Sequence, residues 1–431
     1  MLNRIYEAGV VGAGGAGFPT HVKYQARADV FIVNAIECEP LLRTDRYIVE
    51  TYAPEIVAAA VEIGRQLGAG RMVIAVKEHN GGMVNALRAA ADNSNVELYL
   101  SPSVYPSGDE QNLIYCITGR VVPTGGLPLD VGCVVSNVTT VYQVYEALQG
   151  RPVTDKIVTI GGAVERPMTV QAPIGTPLEM LLQLAGGAED CIYIIGGPMM
   201  GQTVDTLARE SVTKTTGGLL AIPKSDILPE RRQVDLRREA QLAKAVCCQC
   251  SMCTQMCPRN AMGLNVQPHK AMRALAGGST ALLGNDSNSV WSCCNCGICT
   301  CYACNFGLHP SAVMQIAKEQ LREKGRKPVK EVRFEPQGFE VKRLPTERLL
   351  GRLNLKKYDV DAPFAGVVET PVVRIPLKMH AGGPSRPISV EGSDVQKGQL
   401  IAEPEGLGAK IHASITGRVT QVSGRYIEIR K

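Results

Sequence analysis

The sequence predicts a protein of several domains, in which an α/β domain, a helical cysteine-rich module and a terminal β domain follow one another. Three observations predict this fold class. The 431 residues exceed what a single hydrophobic core usually holds. Strand-like and helix-like segments alternate over residues 1–150, as in an α/β layer with a parallel sheet. Eleven of the fifteen cysteines lie in two bursts between residues 247 and 304, and short strands with turns follow at the end.

Composition narrows the classes of function. A net charge of +5 is small for this length and argues against a dedicated nucleic-acid binder. No stretch reaches the roughly 18 apolar residues that a membrane span needs, and the first residues lack the apolar core of a signal peptide. We therefore expect a cytoplasmic protein with no membrane span. In that compartment, fifteen cysteines indicate metal binding or redox chemistry rather than disulfides.

The α/β domain begins with a glycine-rich segment, GVVGAGGAGFPTHVK, from Gly9 to Lys23. Alone, such a segment is either a flexible turn or a loop that brings its backbone close to an anion. The strand VFIVNA follows, then the helix TYAPEIVAAAVEIGRQLGA, then RMVIAVK, GGMVNALRAAA and VELYL in alternation. The glycines do not lie inside a βαβ unit of the kind that carries G-x-G-x-x-G followed by an acid about 20 residues later, so any phosphate would be bound differently from the usual dinucleotide fold.

The first cysteine burst has the spacing of an iron–sulfur cluster. It reads C-x2-C-x2-C-x3-C-P, with cysteines at 247, 250, 253 and 257 and a proline at 258. The short spacings let three thiolates converge on one cubane, while the fourth points toward a second cluster. Structural zinc is the alternative, but two zinc sites of four cysteines would need pairs of C-x2-C, and this chain has triplets.

The second burst repeats the triplet and then departs from the pattern. Cysteines at 293, 296 and 299 are followed by alanine at 303, with further cysteines at 301 and 304. We predict one [4Fe–4S] cluster on Cys247, Cys250, Cys253 and Cys304, and another on Cys257, Cys293, Cys296 and Cys299. The gap before Cys304 is one residue too long, so Cys301 remains the alternative last ligand. Cys248 and Cys294 are expected to line the clusters without binding them.

Helical segments surround the bursts. DLRREAQLAKAV precedes them, PSAVMQIAKEQLREKG follows them, and a helix and a turn lie between them. We therefore predict a helical ferredoxin module with two clusters over residues 236–325.

Ordered motifs in the first two hundred residues resemble a known family. GAGGAGFPTHVK, NAIECEP, YPSGDE and SNVTT occur in the order seen in the flavin subunit of respiratory complex I. GGPMMG and SVTKTTGG extend the likeness to the C subunit of the Rnf ferredoxin:NAD oxidoreductase. With the cysteine bursts, the resemblance covers about residues 1–325 and implies that residues 1–150 form an FMN- and NADH-binding α/β domain.

The resemblance also implies the site residues. FMN would be held by the glycine loop and by polar groups further along: Gly12, Gly14, Gly15, Ala16, Gly17, Lys23, Asn34, Glu37, Tyr105, Gly108, Asp109, Asn137 and Thr140. Glu110 corresponds to a catalytic position between flavin and nicotinamide, and Phe18 to an aromatic that stacks on the NADH adenine. Two positions of this chain depart from complex I. Ile36 stands where complex I has an acid, and Gln25 stands where it has a second aromatic residue. The alternative for Glu37, Glu39 and Asp109 is a set of helix caps and salt bridges.

The remaining segments complete the predicted architecture. Residues 151–220 read as strand, turn, strand and helix, and resemble the β-grasp (SLBB) unit of the same families, here expected to act as a spacer. Residues 326–360 are rich in proline and charge, which is typical of a linker. Residues 361–431 resemble the lipoyl-like barrel-sandwich hybrid domain of the Rnf subunit, displaced to the other end of the chain.

This order of domains resembles the cobalamin reductases of propanediol-utilising bacterial microcompartments. The resemblance implies electron transfer from NADH through FMN and two clusters to cob(II)alamin, in support of a B12-dependent diol dehydratase. It further implies an adenosyltransferase and a microcompartment shell protein as partners, and a location inside the compartment. Two alternatives are an electron-entry subunit of an Rnf-like membrane complex and a non-catalytic scaffold that binds cobalamin or shell.

Overall fold

The computed structural model describes residues 1–279, 283, 287–332 and 335–431. The turn expected between the two cysteine bursts falls partly outside these residues. Within them, no helix is both long and apolar enough to cross a bilayer.

The N-terminal α/β domain is built on a four-stranded parallel sheet of order β3-β2-β1-β5. Its elements are α1 (Leu2–Glu7), α2 (Thr20–Lys23), β1 (Val30–Ala35), α3 (Thr44–Leu67), β2 (Arg71–Lys77), α4 (Gly81–Ala91), β3 (Val96–Ser101), β4 (Val104–Tyr105), α5 (Glu110–Thr118), β5 (Cys133–Asn137) and α6 (Val138–Leu148). Strand β1 is buried on both faces, which explains its continuous apolar sequence. The predicted alternation of strands and helices is therefore present.

Helix α3 crosses the sheet and contacts both α4 and α6. It contains Pro54 and has a break in helical geometry at Tyr52, as expected where a proline removes a backbone donor. It ends at Gly68, whose φ of 69° is the left-handed conformation that glycine adopts readily. The helix starts at Thr44, earlier than the segment from Thr51 that the sequence suggested.

A six-stranded mixed sheet forms the middle of the molecule, in the order β12-β7-β6-β10-β8-β9. The elements before the cysteines are β6 (Asp155–Gly162), β7 (Met168–Pro173), α7 (Leu178–Leu184), β8 (Cys191–Ile195), β9 (Gln202–Val204), β10 (Gly218–Pro223) and α8 (Ile227–Arg232). The sixth strand, β12 (Phe364–Val367), comes from the C-terminal part of the chain and pairs parallel to β7. A β-grasp-like unit is thus completed by a distant segment.

The cysteine-rich part is helical. Its elements are α9 (Leu236–Val246), α10 (Met252–Gln255), α11 (Pro258–Ala261), α12 (Pro268–Ala276) and α13 (Pro310–Glu323), with a π-helical turn at Cys299–Ala303 before α13. Prolines stand at the first position of α11, α12 and α13, where a missing N–H costs nothing. A small core on Leu264, Met272 and Met314 joins α12 to α13.

Residues 326–360, expected to be a linker, contain regular structure. Strand β11 (Leu344–Pro345) pairs with β4, and helix α14 (Thr346–Arg352) follows it. Leu349, Leu353 and Leu355 are fully buried in a core shared with the cysteine loop. The overall polar composition of this segment conceals these few apolar side chains, which are enough to anchor it.

Two small antiparallel sheets make up the C-terminal β domain, with orders β13-β19-β18-β15 and β14-β16-β17. Their strands are β13 (Val372–Pro376), β14 (Ser385–Pro387), β15 (Asp394–Val395), β16 (Leu400–Pro404), β17 (Ile411–His412), β18 (Gly417–Val422) and β19 (Tyr426–Arg430). This domain contacts the glycine loop: the Ala381 N–H donates to the Gly17 carbonyl at 3.0 Å. It therefore takes part in positioning the N-terminal site.

Candidate functional site

The first candidate site lies where the strand order of the parallel sheet reverses. Strand β1 pairs with β2 on one side and with β5 on the other, and the ends of β1 and β5 are in register at Asn34 and Asn137. Loops that leave the carboxyl ends of such neighbouring strands diverge and leave a crevice, which is the usual ligand position in open α/β sheets. Two of the predicted flavin residues therefore lie side by side.

The glycine loop faces this crevice with unpaired backbone donors. In the described part of the chain, the N–H groups of Gly14, Gly15 and Ala16 have no hydrogen-bond acceptor, and all three residues are exposed. The loop is fixed at its start, since the Ala13 N–H donates to the Thr140 hydroxyl at 2.9 Å. Successive unpaired N–H groups of this kind form an anion-binding concavity.

Close packing explains why glycines are needed in this loop. A Cβ at Gly14 would lie 3.1 Å from the Asn137 Cβ, and Gly17 has a φ of 69° against the backbone of Met379. A Cβ at Gly15 would meet nothing within 4 Å, so this part of the loop borders open space. These residues fit a phosphate-bearing, planar cofactor such as FMN: a bare backbone for close approach, and free donors for an anion.

Other predicted residues meet at the same edge of the sheet. The Asn34 side chain donates to the Gly108 carbonyl at 2.8 Å. The buried Lys23 ammonium donates to the Val135 carbonyl of β5. Burial lowers the pKa of Lys23, and the nearby Glu110 carboxylate opposes that shift. Lys23, Asn34, Gly108 and Glu110 are thus brought together around the crevice.

Glu37 serves partly as a helix cap. Its carboxylate accepts from the Asp45 N–H at 2.8 Å, at the start of α3, and its own φ is 45°. Burial, reinforced by the nearby Asp45, raises the pKa of Glu37 to about 8. Asp45 in turn accepts from the Asn137 side chain at 3.0 Å. The cap that the sequence left as an alternative is present, and it lies within the predicted flavin region.

Tyr105 and Asp109 point toward the cysteine-rich module. The buried Tyr105 hydroxyl donates to the Cys296 carbonyl at 2.8 Å. Asp109 caps α5 and forms a 2.7 Å ion pair with Arg259 of α11, both side chains being about nine-tenths buried. Tyr105 therefore connects the crevice to the second cysteine burst, and Asp109 connects it to the helix that follows the first burst. Phe18, predicted to stack on adenine, is 41% exposed at the other end of the glycine loop.

The cysteines form two groups, each drawn from both bursts. Burial raises the pKa of Cys253 to about 12, with Cys304, Cys250 and Cys247 as its neighbouring thiols. Burial likewise raises the pKa of Cys257 to about 12, with the Cys293 thiol among its neighbours. Cys296 and Cys299 complete the second group: the thiols of Cys257 and Cys299 raise the pKa of Cys296, and those of Cys293 and Cys257 raise the pKa of Cys299. The exchanged fourth cysteines of the prediction lie beside the expected partners.

The π-helical turn at Cys299–Ala303 accommodates the extra residue before Cys304. The Cys304 N–H donates to the Cys299 carbonyl at 3.1 Å, which is the hydrogen bond between residues i and i−5 that defines a π-helix. A single turn of this type inserts one residue without ending the helical path, and such turns are frequent at functional sites. Cys304 thereby reaches the group around Cys253 despite the longer spacing.

Of the three other cysteines of the bursts, Cys294 lies among the thiols of the second group, in contact with Cys296. Cys301 is buried near Arg232, and burial raises its pKa to about 11. Cys294 lies near the Asp109–Arg259 pair, and Cys248 is exposed. Within the described residues, no three Cys, His, Asp or Glu side chains converge closely enough to hold one metal ion. Two groups of four thiols with triplet-plus-one spacing would fit two cubane clusters.

In this region, the sequence predicts no role for Arg259 or Arg232, and predicts for Glu39 only that of a possible cap or salt bridge. Arg259, Glu39 and Arg232 are all largely buried, and each joins segments distant in sequence. Glu39 accepts from the Met199 N–H at 2.8 Å, and Arg232 donates to the Met199 carbonyl, so both fix the GGPMMG loop. For Arg259, a usable signal was its position directly after the Cys-Pro pair that ends the first burst.

Four known domain families match successive parts of this chain, in the order of the domains described above. Residues 5–146 match the Nuo51 FMN-binding domain, and residues 157–203 match the SLBB domain. Residues 246–309 match a 4Fe-4S dicluster domain, and residues 354–431 match the RnfC barrel sandwich hybrid domain. Fold and site together define a flavin- and iron–sulfur-binding electron-transfer protein.

Relatives are similar over the whole chain. The chain is 39% identical over 439 residues to the cobalamin reductase PduS of Citrobacter freundii, and 39% identical over 441 residues to that of Salmonella typhimurium. Each alignment covers 100% of this chain and 96% of the relative. The chain belongs to the family of the cobalamin reductase PduS. The structure of an NAD+-reducing [NiFe]-hydrogenase is 19% identical in sequence, and the alignment covers 76% of this chain and 66% of the hydrogenase chain. Its TM-score of 0.47 is too low for a functional conclusion.

Proposed function

We propose that this protein passes electrons from NADH, through FMN and two [4Fe–4S] clusters, to cob(II)alamin. The observation that carries the proposal is the contact between the flavin crevice and a cysteine group. Tyr105 and Asp109 leave the loop that borders the crevice and reach Cys296 and Arg259 of the cysteine-rich module. A flavin site and an iron–sulfur site that share a buried, directly packed border are arranged for electron transfer rather than for separate structural roles.

FMN would be held at the switch point of the sheet. The unpaired N–H groups of Gly14, Gly15 and Ala16 would receive its phosphate or polar edge, while Asn34, Asn137 and Thr140 keep the loop and strand ends in place. Bound FMN would supply the exchange between two-electron hydride chemistry and single-electron transfer. Lys23 contributes a buried positive charge next to the crevice, which favours an anionic ligand.

The two clusters would differ in their position: one would lie next to the flavin crevice, and the other would have an exposed cysteine ligand. Cys257, Cys293, Cys296 and Cys299 would hold the cluster next to the flavin crevice, because Tyr105 binds the loop of that group. Cys247, Cys250, Cys253 and Cys304 would hold the other cluster, and Cys250 is exposed. The protein contributes thiolates, buried surroundings and backbone hydrogen bonds, which together set the reduction potential of such clusters.

NADH is proposed as the donor on the positions of Glu110 and Phe18. Glu110 begins α5 beside the crevice, and the exposed ring of Phe18 is free to stack on a planar base. With only one such aromatic present and Gln25 in place of a second, we expect modest affinity for NADH.

The acceptor and the cellular setting follow from the relatives, which are named cobalamin reductases. We propose a corrinoid as substrate, an adenosyltransferase as the enzyme that uses the reduced product, and a shell protein as a further partner in a bacterial microcompartment. We also propose the domain limits 1–150, 151–220, 236–325 and 361–431, with β12 of the last range shared with the middle sheet.

The proposed function is tested in anaerobic solution with purified protein. NADH should bleach the flavin absorbance, and later addition of cob(II)alamin should restore it while cobalt(II) is reduced to cobalt(I). A control without protein measures the direct reaction of NADH with the corrinoid. A flavin that stays oxidised after NADH addition would reject NADH as the direct donor. A reduced flavin that does not return its electrons to the corrinoid would reject the acceptor.

A further inference from the structure

An open, positively charged pocket lies between the α/β domain and the cysteine-rich module, beside the Asp109–Arg259 ion pair. Its volume is about 530 Å³, within the range of small-molecule sites. Among the described residues, five cationic side chains and no carboxylate line it: Arg259, Lys318, Arg322, Arg326 and Lys327. The ring of Trp291 forms part of its wall, with the Arg322 guanidinium 5.9 Å from the ring centre.

The carboxylates of the described residues balance only one of these five positive charges. Lys318, Arg322, Arg326 and Lys327 form no ion pair with any carboxylate of the described residues. Arg259 is paired with Asp109, but its Nε is buried without an acceptor within that same part of the chain. A fold that gathers several unpaired cations around a concave surface is suited to an anionic ligand.

The pocket also borders a proposed cluster. Cys293, which begins the second burst, lines it, and the Lys318 ammonium lies 3.5 Å from the Cys293 carbonyl. The neighbouring Ser292 hydroxyl is buried and has no partner among the described residues. A molecule in this pocket would therefore lie against a cluster ligand. The surrounding positive charge would favour the reduced form of the bound molecule, since reduction adds one negative charge to it.

We propose that this pocket binds the phosphate-bearing nucleotide loop of the corrinoid acceptor, which brings the corrin ring to the cluster held by Cys293. The inference rests on the proposed function. A cobalamin carries one phosphodiester, a planar benzimidazole and a ribose in that loop, which suit the cations, the Trp291–Arg322 wall and the hydroxyl and amide groups of the pocket. The step moves one electron from the reduced cluster to cobalt(II), giving cobalt(I), and breaks no bond of the protein.

The test uses two corrinoids and two variants of the holoprotein. Cob(II)inamide lacks the nucleotide loop and its phosphate, whereas cob(II)alamin has both. The double variant R322Q/R326Q removes two charges from the rim of the pocket. The matched control R88Q/R425Q removes two exposed charges that have no carboxylate partner in the described part of the chain and do not line the pocket. Anaerobic equilibrium dialysis measures binding, and NADH-driven reduction measures KM and kcat for each corrinoid.

Wild type and control should bind cob(II)alamin about ten-fold more tightly than cob(II)inamide, because charge-assisted contacts to phosphate are lost with the loop. The R322Q/R326Q variant should lose this preference, with a higher KM for cob(II)alamin and a similar rate of NADH-dependent ferricyanide reduction. Equal binding of cob(II)alamin by R322Q/R326Q and the control would overturn the proposal, as would equal binding of both corrinoids by wild type.

The outcomes separate this proposal from the proposed function. Wild type that prefers cob(II)alamin through the pocket but does not reduce it would support the binding site and reject the reductase. Wild type that reduces both corrinoids equally well, with no effect of R322Q/R326Q, would support the reductase and reject this site. Absence of binding and reduction together would reject both. Competition of cob(II)alamin binding by millimolar pyrophosphate, lost in R322Q/R326Q, would further support phosphate as the group recognised.

Discussion

At the scale of single residues, Cys304 shows what a motif can and cannot predict. The two triplets of cysteines predicted cluster chemistry from spacing alone, because few other sites need three thiolates in so short a segment. The last ligand remained open between Cys301 and Cys304, since a motif gives no backbone path. The π-helical turn decides which side chain faces which neighbour: Cys304 lies with Cys253, and Cys301 lies beside Arg232.

Replacing Cys304 with serine should remove one cluster, whereas replacing Cys301 with serine should remove none. Each [4Fe–4S] cluster holds four irons, so the C304S holoprotein should fall from about eight irons per chain to about four. C301S is the matched control, since it changes a buried thiol three residues before Cys304 on the same turn. Iron and sulfide analysis after anaerobic purification gives the answer. Full iron in C304S with a loss in C301S would reverse the assignment.

At the scale of elements, the helices around the cysteines were predictable but their mutual contacts were not. The segments of α9 and α13 have the caps and apolar spacing of helices, so the sequence indicated both. Helix α14 was missed because its few leucines lie in a charged, proline-rich segment. The contact that joins α9 to α13 uses Glu239, whose buried carboxylate accepts from the His309 backbone at 2.7 Å and meets the His309 ring at 2.8 Å.

This contact predicts a pH dependence of stability. The hydrogen bond to Glu239 raises the pKa of His309 above its ordinary value. Protonation of His309 is therefore stabilising: its contribution is complete below about pH 6.5 and is lost as pH rises through the raised pKa. The apparent Tm of the holoprotein should decline over this range by about 2 °C or more relative to H309Q. The variant H79Q is the control, because burial lowers the pKa of His79. The same slope in wild type and H309Q would contradict this role.

At the scale of the whole molecule, domain order was visible in the sequence but the borders between domains were not. Each domain has local patterns that identify it, such as the glycine loop or the cysteine triplets. The borders depend on pairs far apart in the chain, for which a sequence has no local signal. Strand β12 completes the middle sheet from the C-terminal part, and Arg259 meets Asp109 across 150 positions. Tyr105 and Asp109 were predicted as flavin residues, and their bonds to the cysteine-rich module emerged only in three dimensions.

The Asp109–Arg259 pair should therefore be a coupling between domains. Removing one partner of a buried ion pair typically costs about 3–5 kcal/mol, since the other charge stays buried and unpaired. R259Q should lower the apparent Tm clearly and slow cluster reduction after flavin reduction by NADH. The double variant D109N/R259Q should regain part of the lost stability, which a double-mutant cycle of thermal unfolding measures. Strictly additive effects of the two single variants would show that the pair does not couple the domains.

The proposed function requires that the chain hold two cubane clusters, one of them directly beside a flavin. Its most direct test is electron paramagnetic resonance of the anaerobic holoprotein during stepwise reduction, combined with iron, sulfide and flavin analysis of the same sample. The account predicts about one FMN, eight irons and eight sulfides per chain, and two cluster signals that broaden each other when both are reduced. A colourless protein, zinc in place of iron, or a single isolated cluster signal with no bound flavin would contradict it.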